Sequence, residues 1–281
     1  PRHIDIRKRD KEGDFAVLSM DDEAVYGPRA HTLSFGGAAS KGIICQYKVI
    51  ISLIDKQMVD DVSRKNGITL VEGASKIITF HSRVATAQEF ASTEPRGIAH
   101  YLDGYDVRHF KGKQNSSVRS DAISAFAEAP KGLITNARCL TEGVDIPAVD
   151  MVAFIDPRQS RVDIVHAVGR AMRKPRVVTT KTVGYVLVPL FAGADEDSLE
   201  DAIRTEKFDA IANVLNALQE HDKELVDSIR EMRQAKGEGK SFNPTRLLDK
   251  IEFIGPQVEL HELVQSISIE ITDRLGVSWD D

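Results

Sequence analysis

A repeated alternation of apolar, β-rich runs with helical patterns constrains this chain most. Runs rich in Val, Ile, Leu and Phe occur at residues 47–54, 76–80, 107–110, 132–135, 149–155 and 183–190, and helical patterns at 83–91, 117–127 and 160–173 lie between most of them. Strands alternating with helices predict an α/β fold built on a mainly parallel sheet with helices on both faces. In such sheets ligands bind beyond the carboxyl ends of the strands.

The chain has 281 residues, 42% hydrophobic and 28% charged, a globular composition with enough apolar material for a large core. No apolar stretch approaches the roughly 20 residues that span a bilayer. The opening Pro1-Arg2-His3-Ile4 has no charged-then-apolar signal pattern, so a cytoplasmic location is expected. Cys45 and Cys139 form no paired motif and read as core thiols rather than a disulfide or zinc site.

Three regions are expected. Residues 1–46 read as a connector with short elements, 47–190 as the α/β domain and 191–281 as an acidic helical extension. Helices are expected in the extension at 197–218, 222–233, 245–251 and 258–275. The net charge of −6 is unevenly divided: residues 191–281 hold 10 Lys+Arg against 21 Asp+Glu, leaving 27 against 22 in residues 1–190. A mildly basic first part is compatible with phosphate contacts without establishing them.

The most specific local signal is the segment from Arg161 to Arg173. Val162, Val165, Val168 and Met172 follow a helical period with one buried face, and Arg170 and Arg173 share a neighbouring edge. Guanidinium is always charged and forks onto phosphate oxygens. Two arginines on a helix are more often a solvated face, so the reading needs other segments. The first is Gly132 to Pro147, an apolar strand running into a loop containing Thr141, Gly143 and Asp145. The second is Lys76 to Arg83, a β-rich run ahead of the helical Val84 to Ala91.

In this order the three segments resemble the second, C-terminal RecA-like domain of superfamily 2 DEAD/DEAH-type helicases. Lys76–Arg83 resembles motif IV, Thr135–Pro147 motif V, and His166-Ala167-Val168-Gly169-Arg170-Ala171-Met172-Arg173 motif VI. The family writes motif VI as Gln-x-x-Gly-Arg-x-x-Arg; here His166 replaces the glutamine, and its imidazole can still donate a hydrogen bond. Tyr47-Lys48-Val49-Ile50 and Ser160 to Val165 are similar to bacterial helicases related to restriction-enzyme motor subunits.

The resemblance implies a RecA-like, P-loop NTPase-type sheet forming half of a two-domain motor. ATP with Mg2+ would be bound mainly by a first RecA-like domain, with Arg170 and Arg173 as arginine fingers and Gly143, Asp145, His166 and Gly169 beside the nucleotide. Nucleic acid, DNA before RNA, would run across the top of both domains. Its contacts would be Ser82, Arg83, Lys111, Gly112, Lys113, Gln114, Thr135 and Asn136. An RNA helicase of the same superfamily, or an interaction domain that kept only the fold, are the alternatives.

No G-x-x-x-x-G-K-[ST] sequence and no acidic Walker B strand occurs here, and Gly237-Glu238-Gly239-Lys240-Ser241 lacks the P-loop spacing. The first domain is therefore expected N-terminal to Pro1, with Pro1-Arg2 following its motif III, and this chain alone is expected not to hydrolyse ATP.

Overall fold

The computed structural model describes residues 6–9, 15–18, 23–28, 30–31, 33–54, 74–110, 116–136, 149–175, 181–191, 203–205, 208–240, 245–254 and 260–275. The chain divides into two units, Pro1–Ser34 and Phe35–Asp281. In the first, β1 (Ile6–Arg9) pairs antiparallel with β2 (Phe15–Leu18), followed by a single-turn helix α1 (Glu23–Tyr26).

The second unit begins with α2 (Phe35–Ser40) and holds the sheet. Its strands are β3 (Gln46–Ile54), β4 (Lys76–Phe80), β5 (Asp106–Phe110), β6 (Gly132–Asn136), β7 (Met151–Phe154), β8 (Val183–Phe191) and β9 (Ile251–Ile254). They lie in the order β5-β6-β4-β7-β8-β3-β9, and every pairing is parallel. Side chains alternate between two cores, as the strand period requires. Val49, Ile51, Ile78, Val152, Val186 and Val188 enter the larger cluster, whereas Ile50, Ile77, Met151, Ala153 and Leu187 enter the smaller.

Helices α3 (Val84–Phe90), α4 (Ser116–Glu128) and α5 (Arg161–Met172) make the crossovers. Phe90 packs on the smaller cluster, and Phe126, Ile164 and Val168 enter the larger, so the sheet carries helices on both faces. Among the described residues, no helix is long and apolar enough to cross a membrane.

The acidic extension does not stand apart. Its helices α6 (Asp209–Gln219), α7 (Lys223–Gly237), α8 (Thr245–Lys250) and α9 (Leu260–Arg274) bring Ile211, Leu215, Ile229, Leu247 and Ile271 into the larger cluster. The helical run expected to reach residue 251 stops at Lys250, and the next four residues form β9, paired from Val49↔Ile251 to Ser52↔Ile254. Ile251 and Phe253 bury their side chains while exposed Glu252 meets Lys48 at 3.2 Å, the half-buried alternation of an edge strand. Ahead of β3, Ala38 is buried and the Cys45 N–H donates to the Met172 carbonyl at 2.8 Å.

Candidate functional site

Two opposite ends of the sheet carry the residues of interest. At the carboxyl edge, β4 ends in His81-Ser82-Arg83 and β7 ends in Ile155-Asp156-Pro157-Arg158. Backbone bonds bind this edge together: the His81 N–H donates to the Asn136 carbonyl at 2.8 Å and the Ile155 N–H to the Phe80 carbonyl at 3.1 Å. Asp156 fixes the turn after β4, its Oδ2 accepting from the Ser82 N–H at 2.7 Å and the Ser82 hydroxyl at 2.9 Å. Arg158 lies 5.3 Å over the Phe80 ring and 3.6 Å from Asp163 in the first turn of α5. Ser82 and Arg83 remain exposed.

Beneath this edge runs a buried polar row across three strands. Thr79 and His109 are both register partners of Thr135. The Thr79 hydroxyl lies 2.9 Å from His81 Nε2, and the Thr135 hydroxyl 2.9 Å from His109 Nδ1. Thr135 and Asn136 are both 0% exposed. Both were expected to touch a nucleic-acid backbone; the structure places them inside the sheet, with the Thr135 hydroxyl against His109. Their place under the edge suits them to hold the loops that leave it.

His81 is 1% exposed, and burial pulls its pKa from the ordinary 6.5 to about 4, against Asp156 and helped by His109 and Arg158. Because the folded value is depressed, the unfolded chain takes up the proton first. The contribution to stability is complete above pH 6.5 and disappears as pH falls towards 4. By pH 5 the chain is expected to lose about 2 kcal/mol through this group. Denaturant unfolding of the parent and His81→Asn at pH 7 and pH 5 tests the assignment: the substitution should flatten the dependence, and identical slopes would refute it.

The arginines lie at the other end. Ser160 caps α5 near the carboxyl edge, its hydroxyl accepting from the Asp163 N–H, and the helix runs back along the sheet for 12 residues, about 18 Å. Its last turn reaches the edge where strands begin, since Arg173 bridges to Ile44, two residues ahead of β3. The buried face is Ile164, Ala167, Val168, Ala171 and Met172, whereas Val162 and Val165 are only half-buried. The expected Val162/Val165 stripe is thus rotated, because two alanines let the helix sit close to the sheet.

His166, Arg170 and Arg173 fall at i, i+4 and i+7, away from that stripe. The helix ends at Met172, however, and Arg173 has left helical geometry at φ −65°, ψ 131°. Arg170 is 9% exposed, Arg173 and His166 are exposed, and a Cβ built on Gly169 meets nothing within 4 Å. The pair is therefore unequal: Arg170 is buried, and Arg173 stands at the surface beside a backbone open to close approach.

Lys111, Gly112, Lys113, Gln114, Gly143 and Asp145 lie outside the described residues, as does Cys139. Cys45 is a buried free thiol. Among the described residues, no three His, Cys, Asp or Glu side chains are grouped to hold a metal ion. Asp156 and Arg158 lie outside the expected site, and His81 stands in the expected motif IV segment Lys76–Arg83 without a role of its own. Asp156-Pro157-Arg158 follows β7 at the same edge as the expected segments follow β4, β5 and β6, and its place at a strand end is its signal in the sequence.

Residues 56–175 match the helicase conserved C-terminal domain family. The chain is similar to ATP-dependent RNA helicase has1 of Schizosaccharomyces pombe, 28% identical over 169 residues that cover 58% of this chain and 27% of that protein. ATP-dependent RNA helicase HAS1 of Saccharomyces cerevisiae is 32% identical over 98 residues, 35% of this chain and 18% of that protein. The matches thus span about a quarter or less of these relatives. The ATP-dependent Type ISP restriction-modification enzyme LlaBIII bound to DNA shares the fold over 98% of this chain and 20% of its own, with a TM-score of 0.73 and 24% identity. A nuclease-deletion mutant of the Type ISP enzyme LlaGI, with a DNA substrate mimic, gives a TM-score of 0.57 and 24% identity over 92% of this chain and 16% of its own.

Proposed function

We propose, from the match of residues 56–175 to the helicase conserved C-terminal domain family, that this chain is the second lobe of an ATP-dependent DNA helicase or translocase of superfamily 2. A first RecA-like domain of the same protein holds ATP and Mg2+, and this lobe supplies Arg170, with Arg173 beside it, to the phosphates. The observation that carries the reading is the last turn of α5, where Arg170 is enclosed at 9% exposure while Arg173, His166 and the open backbone at Gly169 line the adjoining surface. An arginine held by protein before the phosphate arrives needs little reorganisation as charge develops on the transferring group.

Nucleic acid takes the opposite edge, where Ser82 and Arg83 are exposed and β5 ends at Phe110, with Lys111 to Gln114 next in the sequence. The two activities thus use opposite ends of α5. ATP turnover then occurs only when the lobes close, and closure shifts the nucleic-acid edge of one lobe against the other. Contacts to sugar and phosphate let such a motor step without reading sequence.

DNA is favoured because the likeness to the DNA-bound restriction enzyme extends over 98% of the chain, its acidic extension included. The RNA-helicase relatives match 58% and 35% of it. Those relatives support the second reading, an RNA helicase. Steady-state ATPase of the full-length protein with single- and double-stranded DNA and RNA distinguishes them: DNA is expected to stimulate, and stimulation by RNA alone would replace the first reading with the second. This chain by itself is expected to show no ATPase above background; turnover by it that depends on Arg170 would overturn the two-lobe reading.

A further inference from the structure

The end of α5 is tied down more heavily than an ordinary helix terminus. The last four carbonyls of a helix lack intrahelical partners and usually meet water or a glycine turn. Here the Lys181 ammonium donates to the Ala171 carbonyl at 2.6 Å, the Arg173 carbonyl at 3.1 Å and the Val149 carbonyl, just ahead of β7, at 2.6 Å. An ammonium has three protons to donate. One side chain thus joins the helix terminus to the start of a strand, and its charge faces the negative end of the helix dipole. Between those two carbonyls, Met172 O accepts from the Cys45 N–H at 2.8 Å, so three successive carbonyls are held from outside the helix.

Gly184, near the start of β8, supplies a steric condition. A Cβ there would stand 2.3 Å from the Ala171 oxygen and 2.5 Å from its carbonyl carbon. Any side chain would push the helix end off the strand. Burial also lowers the Lys181 pKa from its ordinary 10.5, partly offset by Cys45 and Asp150, so the ammonium is seated here at a cost that a solvated lysine does not bear.

We infer that Lys181, with Gly184 beneath it, is a positioning residue that sets where Arg170 and Arg173 stand relative to the nucleotide. The inference rests on the reading of those arginines given under Proposed function. Arg170 lies in the last helical turn, its carbonyl accepting from the Arg173 N–H at 3.3 Å, and the fixed points at Ala171, Met172 and Arg173 follow it directly. A guanidinium at the end of a long flexible side chain acts on a phosphate with reproducible geometry only if its backbone does not fray. Lys181 prevents the fraying from a position that touches no substrate.

The test uses the full-length protein and compares Lys181→Met, Lys181→Arg, Gly184→Ala and Arg170→Ala. Lys181→Met is expected to lower kcat by about a hundredfold, the loss that a misplacement of about 1 Å produces. KM for ATP and nucleic-acid affinity should change little, whereas the melting temperature falls because three carbonyls lose their charged donor, so kcat is read where every variant is folded. Gly184→Ala should reproduce the kcat loss by displacing the same turn, and Lys181→Arg should restore most of it, because its guanidinium still donates to the carbonyls. Parental kcat in Lys181→Met, or a kcat loss matched by an equal loss of nucleic-acid affinity, would overturn the inference. Arg170→Ala separates the two levels. Undiminished turnover there strikes the proposed function itself, whereas loss there with Lys181→Met unaffected strikes only the positioning role.

Discussion

Replacing Arg170 by alanine is expected to lower the nucleic-acid-stimulated ATPase of the full-length protein by about 10³- to 10⁵-fold, the range that arginine fingers contribute to turnover. Affinity for nucleic acid should stay near that of the parent. The separation follows from geometry: Arg170 lies in the last turn of a 12-residue helix whose first residue adjoins the carboxyl edge, about 14 Å away. Arg170→Lys should recover little, since an ammonium keeps the charge but loses the planar fork that meets two phosphate oxygens. Arg173→Ala should cost less, because Arg173 is exposed and outside the helix. ATPase rates beside filter-binding or anisotropy isotherms read both quantities. Parallel loss of turnover and affinity in Arg170→Ala would move this arginine to the nucleic-acid surface.

The sheet was legible because its strands are apolar runs separated by helical patterns. The expected strands at 76–80, 107–110, 132–135 and 183–190 correspond to Lys76–Phe80, Asp106–Phe110, Gly132–Asn136 and Val183–Phe191. β9 was not legible. Ile251-Glu252-Phe253-Ile254 follows a helix directly and is too short to display a period of its own. The face of α5 was misjudged because bulk was taken as the sign of burial: valines 162 and 165 stay half-buried while Ala167 and Ala171 face the sheet. Small residues go where backbones approach, and Gly184 opposite Ala171 is the other half of that contact.

The site was legible as a set of loops at strand ends but not in its depth. Thr135 closes the expected strand at 132–135 and Asn136 lies just past it; pairing with His109 and Phe110 keeps both inside the sheet. Lys181 carried no signal at all, since its role exists only once carbonyls from residues 149, 171 and 173 meet around one ammonium.

Asp222→Ala is expected to destabilise this chain by about 3–5 kcal/mol, the cost of removing one partner from a buried charged cluster. Asp222 is 1% exposed and serves three groups. Its Oδ1 caps α7 by accepting from the Glu224 and Leu225 N–H groups at 3.0 and 3.3 Å. Its Oδ2 accepts from the Tyr47 hydroxyl at 2.6 Å and lies 3.3 Å from the Lys250 ammonium, which sits 5.2 Å over the Tyr47 ring. Burial, then Asp222, pushes the Tyr47 pKa well above 10, so the phenol stays a donor throughout the physiological range. Tyr47→Phe removes only one hydrogen bond to a charged acceptor and should cost about 1.5–3 kcal/mol. Asp222→Asn should fall between the two, because the amide oxygen still caps α7 and Lys250 keeps the Glu224 carboxylate at 2.9 Å as its one remaining counter-charge here. Since Tyr47 belongs to β3 and the other members to the extension, the cluster ties the acidic helices to the sheet. Denaturant unfolding of Asp222→Ala should therefore remain one cooperative transition with a lower midpoint and an unchanged slope. An early, separate transition confined to the helices would show instead that the extension folds on its own and merely rests on the sheet.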